Sequence, residues 1–501
     1  METLHTVTTQ YGDVSGIKTE KGILTFKGIP YAAPPIGANR FQPPQPPIPW
    51  TGIRNATEYG PTPPQLTPNT GPFAELLPNV VIPGDDYLNL NIWTLDTTEK
   101  KPVMVFIYGG AFVLGSGAVP GYDGSSFARD GVVLVTINYR IGIEGFLWFG
   151  DGVPNLGILD QIAALKWVRD NIANFGGDPD NVTIFGESAG GMSVCTLLAI
   201  KEAQGLFRRA IAESGAGHSV ISPTSAKLIG TRLAEILGVA PTREAIGEVS
   251  LEKLFAAQGQ LGSEIMAKPL MELWGEAAFN LMPFEPVIDG HLLTASPIEC
   301  IANGSSKEID ILIGTNSQEF RLFLVPEGIL PKITDSALDT IAAAYGLSAE
   351  ATQIYRANRS GSSPGDILSA IITDWFYRIP ALRVAEKHGN THVYEFSWSS
   401  PACNNLLGAC HGIELAFVFD NLSNPGFSNM LGNHPPQQLA DTVHKAWVNF
   451  ATNGNPGWDT YDTNNRVSMR LILYHKLPLM TGLMSVLYGM ESGNILILRI
   501  N

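Results

Sequence analysis

Two kinds of apolar pattern alternate along the chain. Val103-Met-Val-Phe-Ile-Tyr108 and Val132-Val-Leu-Val-Thr-Ile-Asn-Tyr139 are continuous apolar runs, the pattern of strands covered on both faces. Leu88-Asn-Leu-Asn-Ile-Trp-Thr94 alternates and starts the core sheet. Residues 156–175 repeat at helical spacing, with Leu159, Ile162, Leu165 and Ile172 on an apolar face and Asp160, Lys166, Arg169 and Asp170 on a polar one. Ahead of these, short runs around Val7, Val14 and Ile23 separated by turn residues fit hairpins, and residues 30–83 are rich in Pro, Gly, Thr and Asn, as for an ordered irregular surface stretch.

After Ser222 helical patterns dominate, at 225–237, 251–258, 336–344 and 365–388 with a break at Pro380, and Asp335 reads as a helix N-cap. Two strand runs, 309–315 and 392–398, lie among and after them, and a helix at 436–451 follows. Strands alternating with helices predict an α/β fold: a mostly parallel twisted sheet with helices on both faces. Length alone suggests several domains. The candidate chemistry is spread so widely that one domain over 1–501 is expected, with a mainly helical insertion at roughly 223–390 covering the site.

The chemistry centres on Val182-Thr-Ile-Phe-Gly-Glu-Ser-Ala-Gly-Gly191. A buried strand breaks at Gly186, presents Ser188 between glycines and runs into a helical pattern at 192–200. That is the strand–turn–helix setting of a nucleophile elbow. In folds of this type the acid and then the base follow the nucleophile. Glu319 has the right offset from the end of the strand at 309–315; Asp310 lies within that strand and Asp289 fits a turn. Of nine histidines, His5, His218 and His291 come too early, and His388 and His392 border a strand. His434 and His444 lie in or beside a helical stretch, and His475 lies in the tail. His411, in the glycine-flanked Leu407-Gly-Ala-Cys-His-Gly-Ile-Glu-Leu415, is the expected base. Tyr108-Gly-Gly-Ala-Phe112 directly follows a core strand, so the N–H groups of Gly109, Gly110 and Ala189 are the expected oxyanion donors. By nearness to these positions Phe112, Met192, Met282, Phe284, Phe320, Phe323 and Trp375 are candidates for a substrate pocket, with ordinary core packing an equal alternative for each.

Composition narrows the partners. Apolar residues make up 45% of the chain and the formal net charge is −15, which argues against nucleic acid or an anionic membrane as partner. The first ten residues show no signal-peptide pattern. Cys195, Cys300, Cys403 and Cys410 have no metal-ligand spacing, so no metal site is expected. The apolar stretch from Met469 is interrupted by Lys476, Pro478 and Gly482, too broken for a membrane span. It reads as a tail helix and strand packed on the body, or as an association surface. The expected location is the cytoplasm, as a monomer or weak homo-oligomer.

Phe26-Lys-Gly-Ile-Pro-Tyr-Ala-Ala-Pro-Pro35, Tyr108 to Phe112, Asn138-Tyr-Arg140, Asn155-Leu-Gly-Ile-Leu-Asp-Gln161, Phe175-Gly-Gly-Asp-Pro-Asp-Asn-Val-Thr183, the elbow, Glu213-Ser-Gly215 and Cys410-His-Gly-Ile-Glu-Leu415 together cover roughly residues 7–460. Through them the chain resembles the type-B carboxylesterase/cholinesterase family of α/β-hydrolases, most of all its bacterial, para-nitrobenzyl esterase-type branch. The resemblance implies the α/β-hydrolase fold, a Ser188–His411–Glu319 triad, the same three oxyanion donors, and support of the triad by Glu187 and Ser214. It also implies no cofactor and a deep gorge for a small-molecule ester. Where secreted relatives carry a disulfide, this chain has Pro63 and Tyr87, which fits a reducing compartment. The expected reaction is hydrolysis of hydrophobic carboxylic esters through an acyl-enzyme. Hydrolysis of carbamates or aryl amides by the same triad is the alternative, and a non-catalytic adhesion protein on this fold is disfavoured by the intact triad.

Overall fold

The computed structural model describes residues 3–66, 71–77, 79–472 and 496–499. Thirteen strands form one sheet among these residues. They are β1 (Thr3–Thr9), β2 (Gly12–Lys18), β3 (Leu24–Pro30), β4 (Ile53–Asn55), β5 (Asn89–Thr94), β6 (Lys101–Ile107) and β7 (Val133–Ile137), followed by β8 (Gly177–Glu187), β9 (Arg209–Glu213), β10 (Asp310–Asn316), β11 (Thr391–Phe396), β12 (Val467–Leu471) and β13 (Leu496–Arg499). Their order is β1-β2-β3-β5-β7-β6-β8-β9-β10-β11-β12-β13, with β4 beside β2. From β7 to β12 every neighbouring pair is parallel, and the flanks are antiparallel except that β4 pairs parallel with β2. The preamble hairpins and the mostly parallel α/β core therefore stand as the pattern predicts.

The continuous apolar runs of β6 and β7 are buried along nearly their whole length, as strands covered on both faces must be. The helix Leu156–Asn171 departs from its pattern. Asp160, read as part of a solvated face, is fully buried, while Lys166, Arg169 and Asp170 are exposed. The reason is Arg140, itself 1% exposed. Its Nε and Nη2 donate to the two Asp160 carboxylate oxygens at 2.7 Å, and its backbone N–H donates to Asp160 at 3.0 Å. The remaining guanidinium nitrogen, Nη1, donates to the Gln42 carbonyl. A charge in the interior is tolerated only when paired and hydrogen-bonded in this way.

Between Pro223 and His388 the chain is mainly helical around the single strand β10. Helix Leu251–Ala267 is longer than its pattern suggested. Thr334, not Asp335, is the N-cap of Asp335–Ala344, because its hydroxyl accepts from the Ala337 N–H. The break expected at Pro380 takes a specific form: helix Pro364–Thr373 passes through a π-helical turn, Asp374–Arg378, into helix Ile379–His388. The wider turn still gives Ile379 N–H a carbonyl, that of Asp374. No helix among the described residues is long and apolar enough to cross a membrane. Most of the apolar tail after Met469, with His475, lies outside the described residues; the part described contributes β12 and β13.

Removing the Asp160 charge would strand Arg140 in the interior. Asp160→Asn should lower unfolding free energy by about 3–5 kcal/mol, measured by urea denaturation, with a much smaller effect for the exposed Asp170→Asn.

Candidate active site

Because β6, β8, β9, β10 and β11 run parallel, their carboxyl ends open on one edge of the sheet, the edge where α/β sheets place their sites. β8 delivers Ser188 in a backbone conformation of φ 57° and ψ −125°, a region an L-residue enters only when its surroundings hold it there. Two contacts do so. The Ser188 N–H donates to the Glu213 carbonyl at 2.9 Å, and a Cβ on Gly190 would lie 1.9 Å from the Ile107 carbonyl oxygen. Only glycine lets the helix Ala189–Ala199 press this closely onto β6. Gly215 closes the other side, since a Cβ there would lie 2.4 Å from the Ser188 carbonyl oxygen.

The loop after β6 is placed by paired tyrosines. Tyr139 Oη donates to the Tyr108 carbonyl at 2.8 Å, Tyr108 Oη to the Tyr139 carbonyl at 3.2 Å, and the rings stack at 4.6 Å. Gly109 follows, so near the nucleophile that an added Cβ would sit 2.8 Å from Ser188 Cβ. Gly110 has φ 111°, a conformation that favours glycine. Ala189 is the first residue of its helix, where the N–H has no intrahelical partner. None of the described hydrogen bonds engages the N–H of Gly109, Gly110 or Ala189.

His411 arrives from the loop after β11. Its Nδ1–H donates to Glu319 Oε2 at 2.8 Å, which fixes the tautomer and leaves Nε2 facing the site. Glu319 Oε1 accepts from Asn316 N at 2.6 Å and from Ser214 Oγ at 2.7 Å. His411 Nε2 lies 3.1 Å from Glu187 Oε1, at an angle too poor for a hydrogen bond. Among the described residues no hydrogen bond joins Ser188 Oγ to His411; such bonds commonly form only once substrate is bound. Burial pushes the imidazole down, but the Glu187 charge and the Glu319 hydrogen bond outweigh it and raise His411 to about 9. Burial raises Glu187 to about 7, with His411 opposing and the Glu319 charge adding.

Three further groups belong to this constellation and escaped the sequence reading. Glu414 is fully buried, its Oε1 lying 3.3 Å from Ser214 Oγ and its Oε2 accepting from Asn316 Nδ2. Burial, then the charges of Glu187 and Glu319, raise it to about 8. Ser214 has a single proton, and the shorter bond to Glu319 takes it. The longer contact is then filled by a proton on Glu414, consistent with a neutral acid. Glu213, opposite Glu187 across β8 and β9, accepts from Trp447 Nε1 at 2.9 Å, and burial holds it well above the usual carboxylate range. Tyr377 packs its ring 4.8 Å from the His411 ring. Glu414 was visible three residues after His411, but only its burial beside Ser214 assigns it a part.

Of the apolar candidates, Phe323 lies 5.6 Å from the His411 ring, and Phe320 packs on Phe323 at 5.1 Å. Both are half-buried, as is Trp375, whose ring lies 5.8 Å from Phe376. Phe112 is fully buried against Phe146 at 4.9 Å. Met192, Met282 and Phe284 are buried. Glu187 and Ser214 both lie beside the His411–Glu319 pair.

Residues 3–475 match the model of the carboxylesterase family. The para-nitrobenzyl esterase of Bacillus subtilis (strain 168) is 39% identical over 489 residues, covering 93% of this chain and 94% of that protein. The phenmedipham hydrolase of Pseudarthrobacter oxydans is 33% identical, with 90% of each chain covered. A crystal structure of a carboxylesterase from Geobacillus stearothermophilus superposes with a TM-score of 0.81 at 37% identity, covering 93% of this chain and 96% of that one.

The contact between Glu187 and His411 makes a measurable prediction. Glu187→Gln removes the largest charge that holds the proton on the ring, so the His411 pKa should fall from about 9. NMR titration of the imidazole should show the midpoint moving to lower pH; an upward move would contradict the arrangement.

Proposed function

The chain belongs to the carboxylesterase family and is a carboxylic ester hydrolase, and from that premise we propose that Ser188, His411 and Glu319 are its triad. The observation that carries the proposal is convergence: a strained serine and a buried His411–Glu319 pair on the open edge of one parallel sheet. Ser188 Oγ attacks the acyl carbon while Nε2 of the neutral His411 imidazole, the form that acts as base, takes its proton. The carbonyl oxygen gains negative charge and is held by the N–H groups of Gly109, Gly110 and Ala189. His411 returns the proton to the departing alcohol as the C–O bond breaks, leaving an acyl-serine. Water then attacks, losing its proton to His411, and the acid leaves as Ser188 is restored. Glu319 holds the ring tautomer and balances the transient cation. Glu187, Ser214 and Glu414 position this pair and set its charge.

Phe323, Phe320 and Trp375 supply an apolar wall, which supports esters of hydrophobic acids and alcohols as substrates. Met282, Phe112, Met192 and Phe284 are buried and are the further apolar candidates for this pocket. We read the whole chain as one hydrolase domain with a helical insertion over the site. Four free thiols, three of them buried, support a cytoplasmic location. A second reading is cleavage of carbamates or aryl amides by the same groups, and the likeness to a phenmedipham hydrolase favours testing it. A side-by-side panel of ester, carbamate and anilide ranks the two.

Ser188→Ala should abolish turnover of para-nitrophenyl esters and covalent labelling by a fluorophosphonate, with the circular dichroism spectrum unchanged. Activity close to that of the unaltered protein would refute the mechanism. Glu319→Gln should lower kcat by about 10³–10⁴-fold, as expected when the imidazole loses its anionic partner; a mild loss would move the acid to Glu414 or Glu187.

A further inference from the structure

The loop that leaves β9 carries three buried polar atoms without a partner among the described residues: Nδ1 and Nε2 of His218 and Oγ of Ser219. Native interiors rarely leave such groups unpaired, and three on adjacent residues require a reason. The loop is anchored at the nucleophile, because Gly215 packs on the Ser188 carbonyl. Three residues of extended chain span at most about 10 Å. His218 therefore stays within reach of an ester held at Ser188.

What covers His218 also covers the base. Its ring meets Trp375 at 6.4 Å and Phe376 at 5.8 Å, both edge to face. Phe376 lies 4.8 Å from Tyr377, and Tyr377 lies 4.8 Å from His411. These three aromatics are consecutive in the π-helical turn Asp374–Arg378, a feature frequent at functional sites. His411 Nε2, which catalysis must reach, is covered just as the His218 nitrogens are. One π-helical turn thus packs against both histidines, so the cover of His218 is continuous with that of the base. Burial, with Arg383 adding, pushes His218 down to about 4. The ring is thus neutral at ordinary pH, one nitrogen donating and the other accepting.

We propose that His218, with the Ser219 hydroxyl, is a polar recognition point in the substrate site that selects esters carrying an ether, hydroxyl or carbonyl group several atoms from the scissile carbonyl. The rest of this wall is aromatic, so a purely alkyl ester leaves both side chains unpaired. A matched ester with one oxygen in place of a methylene satisfies them. The inference deepens the ester-hydrolase reading and rests on it. The oxygen can belong to the acyl or the alcohol half, since both present the same chemistry to the imidazole.

The test compares two matched pairs: para-nitrophenyl hexanoate with para-nitrophenyl methoxybutanoate, and pentyl butanoate with ethoxyethyl butanoate. The unaltered enzyme should favour the ether in at least one pair, and that pair assigns the acyl or the alcohol half. His218→Phe keeps the ring and removes the polarity, and should lower the ether-to-alkyl ratio of kcat/KM by about tenfold, the scale of one lost hydrogen bond. The loss should appear in KM. His218→Gln, which keeps a donor and an acceptor, should retain most of the preference. If His218→Phe does not fold, His218→Leu carries the same comparison. Equal ratios in the unaltered, Phe and Gln proteins would overturn the proposal. An unaltered protein that hydrolyses none of the four esters would instead sink the hydrolase reading beneath it.

Discussion

Gly190 lets the helix that begins at Ala189 press against the end of β6, close enough that no side chain fits between them. That single approach fixes the distance between two segments far apart in sequence, the turn carrying Ser188 and the loop carrying Gly109 and Gly110. With Glu213 holding the Ser188 N–H from one side and Gly215 packed on its carbonyl from the other, the strained φ of Ser188 has nowhere to relax. Strain of this kind costs on the order of 1–3 kcal/mol and persists only when the surroundings over-determine it. Here they do, because the sheet register and the helix contact impose the same backbone.

The second constraint is electrostatic. Glu187, Glu319 and Glu414 are buried about one imidazole, and buried Glu213 lies behind them beside Glu187 and Glu414. Like charges this close cannot all ionise. The hydrogen bonds sort them: Glu319 accepts from a backbone N–H, a hydroxyl and His411, so it is the carboxylate bound directly to the ring. Glu414 and Glu213 are pushed up by burial and by their neighbours. The neutral acids supply shape and hydrogen bonds without competing for the histidine's proton. Glu187 lies 3.1 Å from Nε2 and is the largest charge that raises the ring, so it tunes how readily the ring gives its proton up.

Above this polar floor lies an aromatic cover. The π-helical turn at Asp374–Arg378 aligns Trp375, Phe376 and Tyr377 toward the two histidines. It is held by Asp374, which accepts from Tyr355 Oη at 2.7 Å and pairs with Arg378, and by Arg378, which reaches Glu395 at 3.1 Å. An apolar cover with half-buried ion pairs at its edges suits a reaction that profits from excluding water, since charge–dipole interactions strengthen when water is absent.

The local patterns determined the type of fold and the location of its chemistry. Continuous apolar runs of strand length fit strands buried on both faces, and a serine between glycines at a strand–helix junction has few conformations open to it. The order of nucleophile, acid and base then follows from the direction in which the strands are crossed. What the sequence by itself could not decide is where long-range packing outweighs local preference. Asp160 sits on the polar side of a helical pattern, yet it is buried because Arg140 comes from another strand end. Glu414 and Glu213 look like ordinary glutamates until the parallel register sets them beside Ser214 and Glu187. The break written by Pro380 takes the form of a π-helical turn whose ends are tied to distant residues, Arg378 to Glu395 and Asp374 to Tyr355. His218, too early in the chain to be the base, acquires significance only when a turn some 150 residues later folds over it. In each case the deciding energy is the burial of a polar or charged group, and that quantity belongs to the tertiary structure alone.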